Sequence, residues 1–360
     1  MQLDKKIHAF STLGKFLKQF ESVSFLENRE LAGINNLFAK PFLSAIQEAE
    51  IYNPWFTREF ILYSLSSLAE MLTEDKLKKW LDQYPAIRKI KGKKLNVGII
   101  MAGNIPLVGF HDFLTVTFSG HKANIKLSSK DEKLLPVILD VLSFCEAGFN
   151  DSAFILTETL KNIDAVIATG SNNSSRYFEY YFGKYPHIIR RNRNSTAILT
   201  GDENAGDVRK LADDIFLYFG MGCRSVSKIF LPERFNIPGM LDNFNSYSYL
   251  YNHNKYANNY DYYKAVYLVN QIKHLDTGFL LLKEDQGYSS PVGVVYYEYY
   301  NSLAELKSRL KSDEQQIQCI VGQTGLPFKT TGVGLSQRPG LNDYSDNIDT
   351  LKFLLNLYKE

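Results

Sequence analysis

Cys223 stands between a glycine pair and an arginine, in Gly220-Met221-Gly222-Cys223-Arg224-Ser225. Glycine reaches positive φ and lets backbone approach closely. Residues 221–225 can therefore turn backbone N–H groups toward the sulfur, and Arg224 is next in sequence. Both effects favour thiolate, the nucleophilic form of cysteine. The opposing reading is a buried cysteine acting as a small hydrophobe, as free cysteines commonly do. Three polar turns could serve such a nucleophile: Gly103-Asn104-Ile105-Pro106, Lys126-Leu127-Ser128-Ser129 and Thr169-Gly170-Ser171. Each is weak alone. Asn104 fits an ordinary turn residue, Lys126 fits a solvated lysine, and 169–173 lacks the full Gly-x-Gly-x-x-Gly pattern. His111 and His121 fit structural roles, and Cys145 and Cys319 read as core.

These residues need a scaffold, and its pattern is visible. Residues 1–90 read mostly as helix. One segment follows Pro41, a second starts at an N-cap Thr57, and a third spans 75–84 before Pro85. The aromatic cluster Trp55, Phe56, Phe60 and Tyr63 reads as core. From 95 the character changes. Residues 95–102 form a strand apolar on both faces, and Pro106 is placed to open a helix that runs to about 118 and stops at Gly120. Strands follow at 123–127, 154–156, 164–169 and 197–200, with helices to about 145 and from about 176. Such alternation means right-handed βαβ units and a parallel sheet. Ligands in these sheets bind at the carboxyl ends of strands, which is where Asn104, 126–129 and 169–173 fall. Beyond Cys223 a second α/β unit has strands at 228–231, 278–283, 292–297 and 318–321. Its helices lie at about 262–273 and after Ser302, which with Glu305 spells a capping box.

Composition narrows the function classes. The chain has 360 residues, 45% hydrophobic, enough for two domains and a sizeable core. A net charge of +2 gives no electrostatic case for nucleic acid or an acidic membrane. Three widely spaced cysteines argue against a disulfide framework and a zinc cluster, and point to a reducing cytoplasm. Residues 1–20 have no apolar signal-peptide core, and no run approaches the roughly 18 apolar residues a membrane span needs.

Taken in order, these motifs resemble the aldehyde dehydrogenase superfamily, and within it the LuxC-type fatty acyl-CoA reductases. The likeness runs over about residues 95–355. Residues 96–107 look like the strand that ends in a Trp-Asn-Phe-Pro turn, with Asn104 on the oxyanion asparagine. Residues 125–129 look like the Lys-Pro-Ser-Glu ribose segment, and 169–171 like the Gly-Ser turn under the pyrophosphate. Cys223 falls on the catalytic cysteine, and Ser290-Pro291-Val292 on the Gly-Pro-Val segment beyond it. Residues 339–350 are similar to the Asp-Tyr-Ala-Asp-Gly-Val-Asp-Thr ending of the LuxC group.

The resemblance implies an α/β, aldehyde-dehydrogenase-like fold: two α/β units with parallel-rich sheets, one for cofactor and one for catalysis. The expected parts are a helical 1–94, an NAD(P)-binding 95–214, a catalytic 215–335 and a tail 336–360 that returns to the core or to an oligomer interface. It implies catalytic Cys223 and Asn104, cofactor-binding Lys126, Ser128, Ser129, Thr169, Gly170 and Ser171, and no metal. Departures sharpen it. The hydrolytic Glu of a Glu-Leu-Gly-Gly-Lys segment is absent at about 190–196, which favours CoA thiol over water as acyl partner. The nicotinamide-ribose Glu is missing near Gly287. Ser129 replaces the Glu that would repel a 2′-phosphate, which with Lys130 favours NADPH over NADH. The expected partners are an acyl-CoA or other acyl thioester, further copies of the chain, and an acyl-protein synthetase of the kind LuxC-type enzymes can have. The rivals are another CoA-acylating aldehyde dehydrogenase or a glutamyl-phosphate reductase, an acyltransferase or thioesterase without the hydride step, and a non-catalytic subunit.

Overall fold

The computed structural model describes residues 2–22, 24–90, 92–149 and 153–358, in two compact units: residues 1–191 with 339–360, and residues 192–338. The first unit opens with four helices, α1 (Leu3–Lys18), α2 (Ala32–Tyr52), α3 (Arg58–Met71) and α4 (Glu74–Leu81). Thr57 caps α3, its hydroxyl accepting the Phe60 N–H at 3.3 Å. Pro41 does not precede its helix as the sequence suggested but sits inside α2. Leu37 and Pro41 are both exposed, so the carbonyl that proline cannot bond faces water. Phe56 and Phe60 are buried, in line with the core reading of that cluster.

The chain then alternates β1 (Asn96–Ile100), α5 (Phe110–Ser119), β2 (Lys122–Lys126), α6 (Leu134–Cys145), β3 (Phe154–Leu156), β4 (Ala165–Thr169), α7 (Asn172–Phe182) and β5 (His187–Arg190). The strands form one parallel sheet in the order β3-β2-β1-β4-β5. The order reverses between β1 and β4, so a crevice opens at their carboxyl ends. Ile99, Ile125 and Ile167 share one face and Val166 and Ala168 the other, and all five are fully buried, as a sheet covered on both faces requires.

Three sequence expectations change here. Pro106 opens no helix: Leu107 sits at φ +58°, in the left-handed region, and α5 begins at Phe110. α7 starts at Asn172 and not near 176, because Ser171 caps it by accepting the Ser174 N–H at 3.2 Å. β5 was not expected at all.

The second unit contains β6 (Asn194–Ile198), α8 (Ala205–Phe216), β7 (Val226–Pro232), α9 (Ile237–Asp242), α10 (Asn254–Val269), β8 (Leu275–Asp276), β9 (Leu281–Glu284), β10 (Val294–Tyr300), α11 (Leu303–Ser312) and β11 (Ile317–Val321). Its sheet runs β11-β6-β7-β10-β9-β8, parallel except for the β8–β9 pair. The strand expected at 197–200 as the fifth of the first unit is β6. It lies between β7 and β11, because its ladder partners are Val226 to Phe230 and Ile317 to Val321. The chain ends in α12 (Thr350–Asn356), whose Leu351 and Leu354 are fully buried in the first unit's core.

Candidate active site

In the first unit the three predicted turns share one edge. β1, β2 and β4 are parallel neighbours, so the residues after Ile100, Lys126 and Thr169 emerge on the same side. The 101–107 turn is fastened at both ends. The Met101 N–H donates to the Lys126 carbonyl at 3.0 Å, and the Leu107 N–H to Asp131 Oδ2 at 2.7 Å. Asn104 lies exposed between these points. Ser64 Oγ adds a bond to the Pro106 carbonyl at 2.9 Å.

Lys126, Leu127, Ser129, Glu132, Leu156 and Glu158 line an open cleft of about 450 Å³ at the carboxyl ends of β2 and β3. Lys126 Nζ donates to the Glu158 carbonyl at 2.9 Å. Ser129 is exposed, and the half-buried Ser128 accepts the Lys130 N–H on its Oγ at 3.3 Å. Gly170 has no room for a side chain: a Cβ would stand 2.8 Å from Phe178 and 2.9 Å from Ser174 Cβ. α7 opens immediately after it, so the amino-terminal end of its dipole is presented to an anion.

Behind this edge lies a buried ion pair that the sequence did not reveal. Both terminal nitrogens of Arg190 bond the Asp112 carboxylate. Arg190 also donates to Thr350 Oγ1 at 3.0 Å and to Thr169 Oγ1 at 3.3 Å. One guanidinium thus joins α5, β5, α12 and the residue before Gly170. Asp131 was missed too; burial pushes its carboxyl up to about 7. His121 is structural: its Nδ1 accepts the Leu95 N–H at 3.2 Å, its Nε2 lies 3.0 Å from the Leu354 carbonyl, and burial lowers its pKa. His111 Nε2 lies 3.0 Å from the Leu341 carbonyl.

In the second unit, Cys223 is half-buried in a turn before β7, at the amino edge of its sheet. The approach is strained. α8 ends at Phe216, and Tyr218 and Phe219 both adopt φ +56° before Gly220 at +72°. Non-glycine residues are held in this region only where the surroundings over-determine them. The Ser225 N–H closes the turn on the Gly222 carbonyl at 3.0 Å, and Ser225 Oγ accepts the Gly222 N–H at 3.2 Å. Ser195 Oγ donates to the Cys223 carbonyl at 2.9 Å and accepts the Cys319 N–H at 3.2 Å. Residues 195 and 223 are brought together by β6–β7 pairing, which no local pattern announces. A small cavity beside the turn is lined by Phe219, Gly220, Pro291 and Val292, so the predicted 290–292 segment packs next to it. Burial raises the thiols of Cys319 and, to about 11, Cys145, and no disulfide joins the cysteines.

The sequence matches the acyl-CoA reductase (LuxC) family over residues 12–240, more than half of the chain. The chain belongs to that family. The matched stretch contains every expected site residue from Asn104 to Cys223. No curated protein matches the sequence. Solved structures extend the likeness along the chain. Aldehyde dehydrogenase 21 from Physcomitrella patens, solved with the reaction product succinate, is 11% identical over 99% of this chain and 84% of its own, with a TM-score of 0.66. An oxidoreductase from Marinobacter aquaeolei is 10% identical over 94% and 79%, with a TM-score of 0.64. The NAD-dependent aldehyde dehydrogenase from Sinorhizobium meliloti is 11% identical over 90% and 71%, with a TM-score of 0.62. At these identities the likeness is one of fold, and the LuxC chain has the aldehyde-dehydrogenase-like fold. Family and fold together put its chemistry in the class of acyl-CoA reductase and aldehyde dehydrogenase reactions. Among the described residues no helix is long and apolar enough to cross a membrane, and no group of three or more His, Cys, Asp and Glu could hold a metal ion.

Proposed function

We propose that this LuxC chain reduces a fatty acyl-CoA to the aldehyde with NADPH, through an acyl group carried on Cys223. The observation that carries the reading is the Cys223 turn. A strained 218–220 backbone, a serine-locked 222–225 turn and a bond from Ser195 hold this cysteine, where a core cysteine needs only apolar neighbours. Cys223 thiolate attacks the thioester carbonyl, the tetrahedral oxyanion collapses, and CoA leaves as its thiolate. The covalent step divides one difficult reaction into two easier ones. Asn104 and the Cys223 N–H serve as oxyanion donors, each worth about 10²–10³ in rate.

The first unit fits a nicotinamide dinucleotide on two counts, the α7 amino terminus that opens just after Gly170 and the cleft at the ends of β2 and β3. Lys126, Ser128 and Ser129 would hold its adenosine ribose, and Thr169, Gly170 and Ser171 its pyrophosphate at the α7 terminus. When bound, the reduced cofactor supplies the hydride that takes the acyl group to the aldehyde. Overall, acyl-CoA, NADPH and a proton give aldehyde, NADP and CoA. NADPH is favoured over NADH because position 129 carries no carboxylate and Lys130 follows it. Glu132 in the same cleft is paired with Lys133 at 3.3 Å.

The reading extends to a reducing cytoplasm, to oligomers of the chain, to an acyl-protein synthetase as acyl donor, and to separate cofactor-binding and catalytic roles for the two units. The test is NADPH absorbance with a panel of acyl-CoAs of different length, run beside acyl-CoA consumption and labelling of Cys223→Ser. Expected are NADPH oxidation faster than NADH oxidation and no label on the variant. Thioester loss without NADPH oxidation would make this an acyltransferase or thioesterase, and persisting label would remove Cys223 as nucleophile.

A further inference from the structure

Asp131 closes the turn after the cofactor segment, its N–H donating to the Ser128 carbonyl at 2.9 Å. The residue is only 9% exposed. Oδ2 accepts the Leu107 N–H at 2.7 Å, and Oδ1 has no hydrogen-bond partner. A buried carboxylate with one oxygen unmet is costly, and packing alone does not explain it. What the other oxygen does is specific. Leu107 is a branched residue at φ +58°, a conformation that persists only where something holds it. Leu107 terminates the turn that carries Asn104. The start of that turn rests on the same segment as Asp131: Gly103 is so close to Ser128 that a Cβ would lie 2.5 Å from its hydroxyl. Residues 128–131 therefore grip the Asn104 turn from both ends.

We propose that Asp131 is a positioning residue for acylation: by holding the Leu107 N–H it sets the direction in which the 103–107 turn presents Asn104. It acts through Asn104. The proposal rests on the reading of Cys223 as acyl acceptor and Asn104 as oxyanion donor. It also ties two functions to one strip of chain, since Lys126, Ser129 and Glu132 of that strip line the dinucleotide cleft.

The experiment is a rate cycle on the full chain. Acylation by a radiolabelled acyl-CoA is followed before the first turnover, without dinucleotide, in wild type, Asn104→Ala, Asp131→Ala and the double variant. Asn104→Ala is expected to slow acylation about 10²-fold. Asp131→Ala should slow it about tenfold with the KM for acyl-CoA unchanged. In the Asn104→Ala background the second change should cost nothing further, because its intermediary is gone. Asp131→Asn keeps an oxygen for the Leu107 N–H and should return the rate to within about threefold of wild type.

A loss of equal factor in both backgrounds would mean a merely structural role and overturn the proposal. So would a folded Asp131→Ala that acylates at the wild-type rate. Should Asp131→Ala not fold, Asp131→Asn decides: a tenfold loss in both backgrounds overturns the proposal, and near-wild-type rates support it. Failure of wild-type Cys223 to take label would instead bring down the reading of the reaction, and this proposal with it.

Discussion

Removing Asp112 should unsettle the first unit more than any surface charge could. Arg190 is 3% exposed and bonds Asp112 through both terminal nitrogens. In Asp112→Leu two of its bonds vanish, while those to Thr350 Oγ1 and Thr169 Oγ1 remain. Breaking a buried pair by removing one partner costs about 3–5 kcal/mol, because the other charge stays buried. The two surviving hydroxyl bonds place the expected loss near the lower end, about 3 kcal/mol. Arg190→Met should cost about as much, leaving the carboxylate stranded.

The double variant Asp112→Leu/Arg190→Met removes both charges and should lose no more than about 1–2 kcal/mol, since an apolar replacement of similar volume is often neutral. The coupling in the cycle is then several kcal/mol in size. Both tryptophans, Trp55 and Trp80, belong to the unit that holds the pair, so urea unfolding followed by tryptophan emission reads it directly. A single variant costing under about 1 kcal/mol, or a double variant as unstable as the two singles added, would refute the reasoning. Arg190→Met should also weaken dinucleotide binding, because Thr169 loses its anchor beside Gly170.

Two further changes address the same unit. Gly170→Ala puts a methyl 2.8 Å from the Phe178 ring and should raise the KM for dinucleotide about tenfold, as overpacking of about 1–3 kcal/mol would. Label uptake by Cys223 without dinucleotide should stay within about twofold of wild type, and an equal fall in both would point to general damage. For Asp131, the folded pKa is raised to about 7, so its contribution to stability is full below the unfolded value near 4 and is lost as pH rises through 7. Asp131→Asn should therefore gain on wild type by up to about 4 kcal/mol between pH 4 and 8; parallel stability curves across that range would show that the carboxyl does not titrate there.

Much of this architecture could be read from the chain because it is written locally. Apolar runs such as 97–100 and 165–168 announce strands, and Gly220 and Gly222 announce the turn at Cys223. What escaped depends on partners remote in sequence. β6 has the look of the strands before it, yet its sheet is decided by β7 and β11. β5 is four residues long with His187 and Arg190 at its ends, and only its ladder with β4 makes it a strand. Pro106 is a fair signal for a helix start. It fails because Asp131, 24 residues on, holds Leu107 in the left-handed region. In the same way nothing near Arg190 tells of Asp112, 78 residues before it.

The second unit is an insertion, and the order in which the chain is made gives that arrangement a kinetic cost. Leu351 and Leu354 of α12 complete the core around Phe113 and Phe118 of α5. Tyr344 takes the Trp80 indole N–H at 2.9 Å. Residues 192–338 must be synthesised between these halves. At about 5–20 residues per second, the stretch from Ser119 to Asn356 keeps the α5 face waiting on the order of ten to fifty seconds for its cover. During that interval the inserted unit, whose strands all lie within 192–338, can close first. The first unit then finishes only when α12 emerges, so its nascent form exposes an apolar face that chaperones would recognise.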